Sequence, residues 1–259
     1  MKIRYILSSV ALASLSLTSC SDLDTAPEGN IITSDKKGEI LEEMPERGLA
    51  GVRAIFQGLS AYEPNYEAFG KIERHNDIGY PSVLMFTDAN TEDVVSDPNG
   101  YNWNENSLDY SDRTYTSYES QMVWNDHYNA IYVANTVIKG YNTGEDPTNE
   151  EARFFYAQGL AARAYFYFNL AQLYQFTYKD NETKPCIPVV TDENTAKSQV
   201  EGTPCSTVEE TYTQIKSDID HAITFLQGTS YERADKRYIT LAVAYGIPAR
   251  VNPLMQKCA

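Results

Sequence analysis

The chain has 259 residues, of which 21 are Lys or Arg and 36 are Asp or Glu, giving a formal net charge of −15. A surface this acidic argues against nucleic acid and anionic lipid as partners, because both bind clustered positive charge. Tyrosine is unusually common, with 20 residues against 9 phenylalanines. Its apolar face and polar tip suit wet binding surfaces and helix packing alike.

Residues 1–19 have the pattern of a secretory signal peptide. Lys2 and Arg4 precede an apolar stretch that is shorter than the ~20 residues needed to cross a bilayer as a helix. The stretch ends in Leu-Thr-Ser-Cys, which resembles the lipobox of bacterial lipoproteins. That resemblance implies that Cys20 is acylated and anchors the protein in a membrane. The alternative is an ordinary secreted protein in which Cys20 lies near the cleavage site by chance.

Residues 20–38 are polar, acidic and rich in turn formers, which predicts a solvated lipidated tether. The segment also resembles the acidic export tag that directs some lipoproteins of Gram-negative bacteria to the outer cell surface. A chance acidic linker fits the composition equally well. Residues 39–259 are then left as a single helical domain.

The first part of this domain gives a mixed pattern. Apolar spacing predicts a helix over residues 40–59, with Pro45 in its first turn. From residue 62 to residue 117 the sequence predicts irregular structure, because Asp, Asn, Gly and Pro are dense between residues 87 and 111.

Helical periodicity is strong in the rest of the chain. A helix is predicted over 118–140, with Trp124 and Asn135 on its apolar stripe, and Asn135 is expected to bond to a neighbouring helix. A second helix, over 149–174, is apolar around nearly its whole circumference, which predicts burial on several sides. Trp124 is interpreted as a core residue.

After a predicted loop over 185–204, two more helices follow. Ser206 and Glu209 have the spacing of a capping box, opening an amphipathic helix that ends near Gly228. The final helix is predicted from about residue 235 and contains two prolines, Pro248 and Pro253, each of which removes an amide hydrogen bond. The whole predicts an all-α fold of tetratricopeptide-like helical repeats with long irregular loops.

The sequence contains no pattern typical of a metal or catalytic site. It has no Cys-x-x-Cys pair and no His-Glu-x-x-His motif, and the nucleophile-elbow and phosphate-loop motifs are absent. We therefore predict a protein that is not an enzyme and needs no metal or cofactor. Cys186 and Cys205 flank one loop, and a disulfide between them is a hypothesis.

Several segments together resemble the SusD/RagB family of outer-membrane nutrient-binding lipoproteins. They are the lipobox with SDLD (21–24), WNDHYNAIYVAN (124–135), the helix EARF…ARAYFYFNL (151–170), IPVV (187–190) and STVEE…ID (206–220). The resemblance implies a tetratricopeptide-like scaffold seated on a TonB-dependent transporter, without catalysis. It covers the N-terminal half of the family's usual length, so residues 39–259 are expected to be a SusD-like N-terminal domain truncated at its C-terminus.

The candidate ligand site lies in the irregular region. Sugar binding uses flat aromatic faces flanked by carboxylates and amides. If the resemblance holds, Tyr101 and Trp103 stack on a sugar and Asn99, Asn102 and Asn104 bond to its hydroxyls. The structural alternative is a solvated loop in which Trp103 fills a local core.

The function implied is that of a cell-surface lipoprotein of the outer membrane. It binds oligosaccharides, or peptides as in some members of the family, and delivers them to the transporter. Two alternatives stay open on the sequence: a helical-repeat scaffold that holds another envelope protein, and a truncated copy without function.

Overall fold

The structure, a computed structural model, describes residues 34–60, 77, 79–95, 104–142, 146–230 and 236–255. The chain divides into residues 1–37 and a compact unit of residues 38–259. The regular elements of the described residues are helices, with a single antiparallel bridge between Pro185 and Thr207 and no strand. None of these helices has the length together with the apolar run that crossing a bilayer requires.

The described helices range in length from 4 to 25 residues. In chain order they are α1 (Ser34–Glu43), a 3-10 helix (Pro45–Gly48), α2 (Leu49–Ser60), α3 (Tyr80–Ala89), α4 (Glu105–Leu108), α5 (Tyr118–Tyr141), α6 (Glu150–Tyr174), α7 (Thr195–Glu201), α8 (Val208–Gln227) and α9 (Leu241–Leu254).

Helix α6 lies at the centre of the compact unit, with α5 and α8 as its main neighbours. Small side chains allow this, because Ala157, Ala161 and Ala164 are almost fully buried along it. Gly159 lets α6 lie close to α5, because a Cβ atom there would be 2.8 Å from Cγ1 of Ile138. The predicted burial of this helix on several sides is therefore confirmed.

The predicted start of α8 is wrong by one residue. Thr207, not Ser206, caps the helix: its Oγ1 accepts from the Glu210 amide at 3.2 Å, and the Glu210 carboxylate accepts from the Thr207 amide at 2.7 Å. The backbone of Ser206 is instead bonded to the preceding loop, where its amide donates to the Ile187 carbonyl at 2.9 Å. A Ser-Thr pair followed by a Glu pair satisfies the capping pattern in both registers, so the sequence alone is ambiguous.

The predicted helix over 40–59 is interrupted, because α1 ends at Glu43 and the 3-10 helix begins at Pro45. Proline has no amide to donate, which prevents continuous helical bonding through this point. The last helix begins at Leu241, with Thr240 as its cap, rather than near residue 235. Pro248 and Pro253 do lie inside it, as predicted.

Three short helices occur where loops were predicted. They are α3 and α4 in the region 62–117 and α7 in the region 185–204. Helix α3 has Pro81 in its first turn and packs on α2, α4 and α5. Helix α7 buries none of its residues. None of the three has an amphipathic stripe long enough for the sequence to predict a helix.

The two described cysteines are free thiols, so the hypothesis of a disulfide between them is wrong for this structure. The bridge pairs Pro185 with Thr207, and the Cys186 amide donates to the Ser206 carbonyl at 2.7 Å. This register places Ser206, not Cys205, opposite Cys186. Burial raises the pKa of the Cys186 thiol, which favours its protonated form.

Candidate ligand-binding site

A cavity of about 1080 Å³ opens between the end of α3, residues 112–117, the first turns of α5 and the end of α6. Ligand sites for small molecules commonly have volumes of roughly 300–1,000 Å³. The cavity therefore has room for a ligand as large as a short oligosaccharide. No group of three or more metal-ligating side chains occurs in the part of the chain that the structure describes.

Trp124 and Tyr174 form an aromatic wall of the cavity. Their ring centroids are 5.1 Å apart, and the rings meet nearly at right angles. Tyr128 supports the tryptophan from behind, with ring centroids 4.7 Å apart. The Trp124 side chain is half-buried and packs against the core, as predicted, but it also contributes to the cavity.

The tyrosines that hold this wall are anchored by backbone hydrogen bonds. The Tyr128 hydroxyl donates to the Pro188 carbonyl at 2.7 Å, and the Tyr174 hydroxyl donates to the Ser120 carbonyl. Burial raises the pKa of both phenols, so both are neutral donors at physiological pH. The wall is therefore held in place before any ligand binds.

Tyr115 stands at the rim of the cavity with 98% of its surface exposed. The segment that carries it is tied to the first turn of α5, because the Ser120 hydroxyl lies 3.2 Å from the Thr114 carbonyl. A large aromatic ring with this exposure contributes nothing to the core. Its apolar face is available to a ligand.

A polar network forms another part of the cavity lining. The Asn90 side chain, at the end of α3, donates to Oδ2 of Asp112 at 2.9 Å. Its amide oxygen accepts from Nε of Arg113 at 3.0 Å, and its backbone carbonyl accepts from Nη2 of Arg113 at 3.2 Å. Asn90 thus connects a buried carboxylate to an exposed guanidinium, and all three residues line the cavity.

Asp112 is only 2% exposed, and its second oxygen, Oδ1, has no hydrogen-bond partner among the described residues. A buried acceptor without a donor costs roughly 1–3 kcal/mol. Buried polar atoms left in this condition are uncommon and are often found at functional sites.

Most of the residues predicted as the ligand site are not tested by the structure. Cys20, Asn99, Tyr101, Asn102 and Trp103 lie outside the described residues, so their roles stay predictions. Asn104 is half-buried and does not line the cavity. It precedes α4, and its backbone carbonyl accepts from the amides of the third and fourth residues that follow it.

The cavity residues were not recognised from the sequence. Trp124 stands next to Asn125, and an aromatic beside an amide is the mixture expected of a sugar site. Its place on the apolar stripe of a helix led instead to its interpretation as a core residue. Arg113 and Tyr115 lie in a short polar segment with no distinguishing motif. Only the packing of α3 beside α5 brings Asn90 next to them.

Sequence comparison decides the family. The family model described as "SusD-like_3: Starch-binding associating with outer membrane" matches residues 78–252. This chain belongs to the SusD-like family. No curated protein has a significant sequence match to the SusD-like chain.

Solved structures match the SusD-like chain at the level of the fold. A SusD-like carbohydrate binding protein from Bacteroides vulgatus is 23% identical, with a TM-score of 0.68 over 82% of this chain and 42% of its own. A SusD superfamily protein from Bacteroides fragilis is 23% identical, with a TM-score of 0.61 over 81% of this chain and 46% of its own. A laminarin binding SusD-like protein is 20% identical, with a TM-score of 0.56 over 80% of this chain and 40% of its own.

These matches confirm the predicted all-α, tetratricopeptide-like fold. The SusD-like chain spans between 40% and 46% of the length of the three solved structures.

Proposed function

We propose that this SusD-like protein binds oligosaccharides in the cavity beside Trp124, without chemical conversion, and delivers them to a TonB-dependent outer-membrane transporter. The observation that carries the binding step is the cavity itself: it has a volume of about 1080 Å³, and its lining combines an aromatic wall with a fixed polar network. The family description, which associates its members with starch binding and the outer membrane, supports the same conclusion.

The chemistry of the cavity suits a sugar. A pyranose ring has a weakly polar face that packs on aromatic rings, and Trp124, Tyr174 and Tyr115 provide such rings. Sugar hydroxyls both donate and accept hydrogen bonds in fixed directions, and side chains such as Asn125, Gln121 and Thr116 offer both kinds of group. Binding needs no reacting group.

Titration calorimetry against a panel of plant, algal and host oligosaccharides tests the binding step. Tyr115→Ala removes an exposed ring without touching the core, so it should weaken binding by about twofold to tenfold, the range for one aromatic contact. Phe176→Ala is the matched control, since Phe176 is 81% exposed and lies outside the cavity lining. If both variants bind oligosaccharides with the same affinity as the parent, the ligand does not bind in this cavity.

The same titration separates the cavity from the loop predicted from the sequence. If Trp103 stacks on the ligand, Trp103→Ala should weaken binding as Tyr115→Ala does. If only Tyr115→Ala has an effect, the ligand binds in the cavity alone. If the protein binds peptides and no sugar, its ligand class is that of the peptide-binding members of the family.

The proposed location is the outer membrane, with the protein held by a lipid anchor and facing the cell exterior. This part of the proposal rests on Cys20 and on the acidic tether that follows it. An alkyne-labelled fatty acid should be incorporated into the protein in growing cells, and Cys20→Ala should abolish the label and release the protein from the membrane fraction. Cross-linking on intact cells should recover a large β-barrel protein with it. A Cys20→Ala variant that stays in the membrane fraction would contradict the lipid anchor.

A further inference from the structure

The cavity presents a positive charge on an otherwise acidic protein. Of the residues that line it, Arg113 is the single cation and Asp112 the single anion. Asp112 is 2% exposed, whereas Arg113 is exposed. The charge offered to a ligand is therefore that of the guanidinium. An uncharged sugar does not need it.

Arg113 is held in one orientation by its surroundings. Asn90 accepts hydrogen bonds from Nε and Nη2, at 3.0 and 3.2 Å, and the guanidinium carbon lies 4.0 Å from the centre of the Tyr110 ring. A long side chain fixed in advance loses less conformational entropy when it binds a partner. Tyr110 and Asn90 thus act as positioning residues for Arg113.

The backbone at Tyr110 supports this interpretation. Its φ is +63°, in the left-handed region that residues other than glycine seldom adopt. The conformation costs roughly 1–2 kcal/mol for such a residue. Strain of this kind concentrates at functional sites. Here it accompanies a ring placed beneath an exposed cation.

The bonding capacity of Arg113 is only partly used. No carboxylate of the described residues lies within 4.0 Å of its nitrogens, and Nη1 makes no hydrogen bond within the same part of the chain. The free N–H groups of a guanidinium match the paired oxygens of a carboxylate or sulfate. An exposed and oriented arginine in a cavity, with no ion pair to any described carboxylate, can bind an anion.

We infer that the cavity selects acidic oligosaccharides, those bearing a carboxylate or a sulfate, and that Arg113 is the residue that recognises this charge. The inference rests on the proposed function and narrows its ligand class. The aromatic wall binds the sugar rings, and Arg113 distinguishes a charged chain from a neutral chain of the same length.

The experiment uses pairs of probes that differ only in charge. Oligogalacturonides are compared with their methyl esters, and chondroitin sulfate oligosaccharides with their desulfated forms, by titration calorimetry. At least one acidic probe should bind about tenfold more tightly than its uncharged partner, the ratio for one hydrogen bond to a charged group. Arg113→Gln should abolish that ratio, because it weakens binding of the acidic probe far more than binding of its uncharged partner.

Two further variants sharpen the test. Arg113→Lys keeps the charge but loses the forked contact with Asn90, so it should retain only part of the preference. Arg250→Gln is the matched control, because Arg250 is exposed, lies over the Phe168 ring at 5.5 Å and does not line the cavity. It should bind both probes like the parent.

The outcomes distinguish this inference from the proposed function. If uncharged oligosaccharides bind as tightly as acidic ones, or if Arg113→Gln keeps the preference, the inference is overturned while sugar binding stands. If neither these probes nor the wider panel binds, both proposals fall.

Discussion

Arg163 on α6 and Asp218 on α8 form a buried ion pair with two parallel hydrogen bonds. Nε lies 2.8 Å from Oδ2, and Nη2 lies 2.8 Å from Oδ1. Nη1 donates to Asn135 of α5 and to Asp192, each at 2.8 Å. Burial alone would lower the pKa of Arg163, but the carboxylates of Asp218 and Asp192 outweigh it and raise that pKa. One guanidinium therefore connects α5, α6 and α8.

Asp218→Ala should destabilise the protein by about 3–5 kcal/mol, because it leaves the Arg163 charge buried with incomplete compensation. The free energy of unfolding in urea measures this. Asp220→Ala is the control on the same helix: Asp220 is half-exposed and pairs with Lys216 at 2.8 Å. An exposed pair contributes about 0–1 kcal/mol. Equal losses of unfolding free energy in the two variants would show that the buried pair stabilises the protein no more than the exposed pair does.

The contact between α5 and α6 depends on the absence of a side chain at Gly159. A Cβ atom there would lie 2.8 Å from Ile138 and 3.3 Å from the backbone oxygen of Ala134. Gly159→Ala should therefore cost about 1–3 kcal/mol, the usual range for overpacking. Thermal unfolding followed by circular dichroism measures the loss.

Gly246 provides the matched comparison in α9. A Cβ atom there meets nothing within 4 Å among the described residues. Gly246→Ala should leave the melting temperature unchanged or raise it, with a gain of up to about 1 kcal/mol from helix propensity. If both variants lost stability to the same extent, the close helix approach would not be the cause.

Thr207→Ala should destabilise α8 by about 1 kcal/mol, since it removes the side chain that caps the helix. Ser206→Ala, one residue earlier, should change the free energy of unfolding by less than about 0.5 kcal/mol, as is usual away from such features. Chemical denaturation of the two variants side by side measures the difference. The reverse order would restore the capping register predicted from the sequence.

Asp77 gives the protein a specific pH dependence. Burial raises its pKa to about 6, against an ordinary value of 3.8, although the Tyr118 hydroxyl donates to it at 2.7 Å. The folded state then binds the proton more tightly than the unfolded state, so this group's contribution favours folding at low pH and is lost as pH rises from about 4 to 6.

Asp77→Asn should remove this loss. The free energy of unfolding of Asp77→Asn minus that of the parent should increase between pH 4 and 6, by up to about 3 kcal/mol for a shift of this size. Urea titrations at several pH values measure it. A difference that stays constant across this interval would show that Asp77 titrates normally in the folded protein.

Long periodic segments made much of the fold predictable. The 118–140 and 149–174 predictions agree with α5 and α6 to within one residue, and Asn135 bonds to α6 as expected. Helices α3, α4 and α7 were missed because they are too short to show a period. Their positions depend on packing or on local hydrogen bonds. Helix α7 depends on local hydrogen bonds, because it buries none of its residues.

The cavity was far less predictable. Asn90, Arg113, Trp124 and Tyr174 are distant in sequence and belong to different elements, and no motif joins them. The sequence pointed instead to residues 99–104, from their mixture of aromatic and amide side chains, and that prediction stays untested because residues 99–103 lie outside the described residues. A local composition signal does not show which side chains the fold leaves facing a common space.

Apolar periodicity and ordered motifs are carried along the chain, so they were enough to predict the helical class, the burial of α6 on several sides and the family. The candidate cavity, the capping register and the orientation of Arg113 could be seen only in three dimensions. These depend on which groups meet across space, and a hydrogen bond or a shared cavity is a property of distances between elements rather than of residue order.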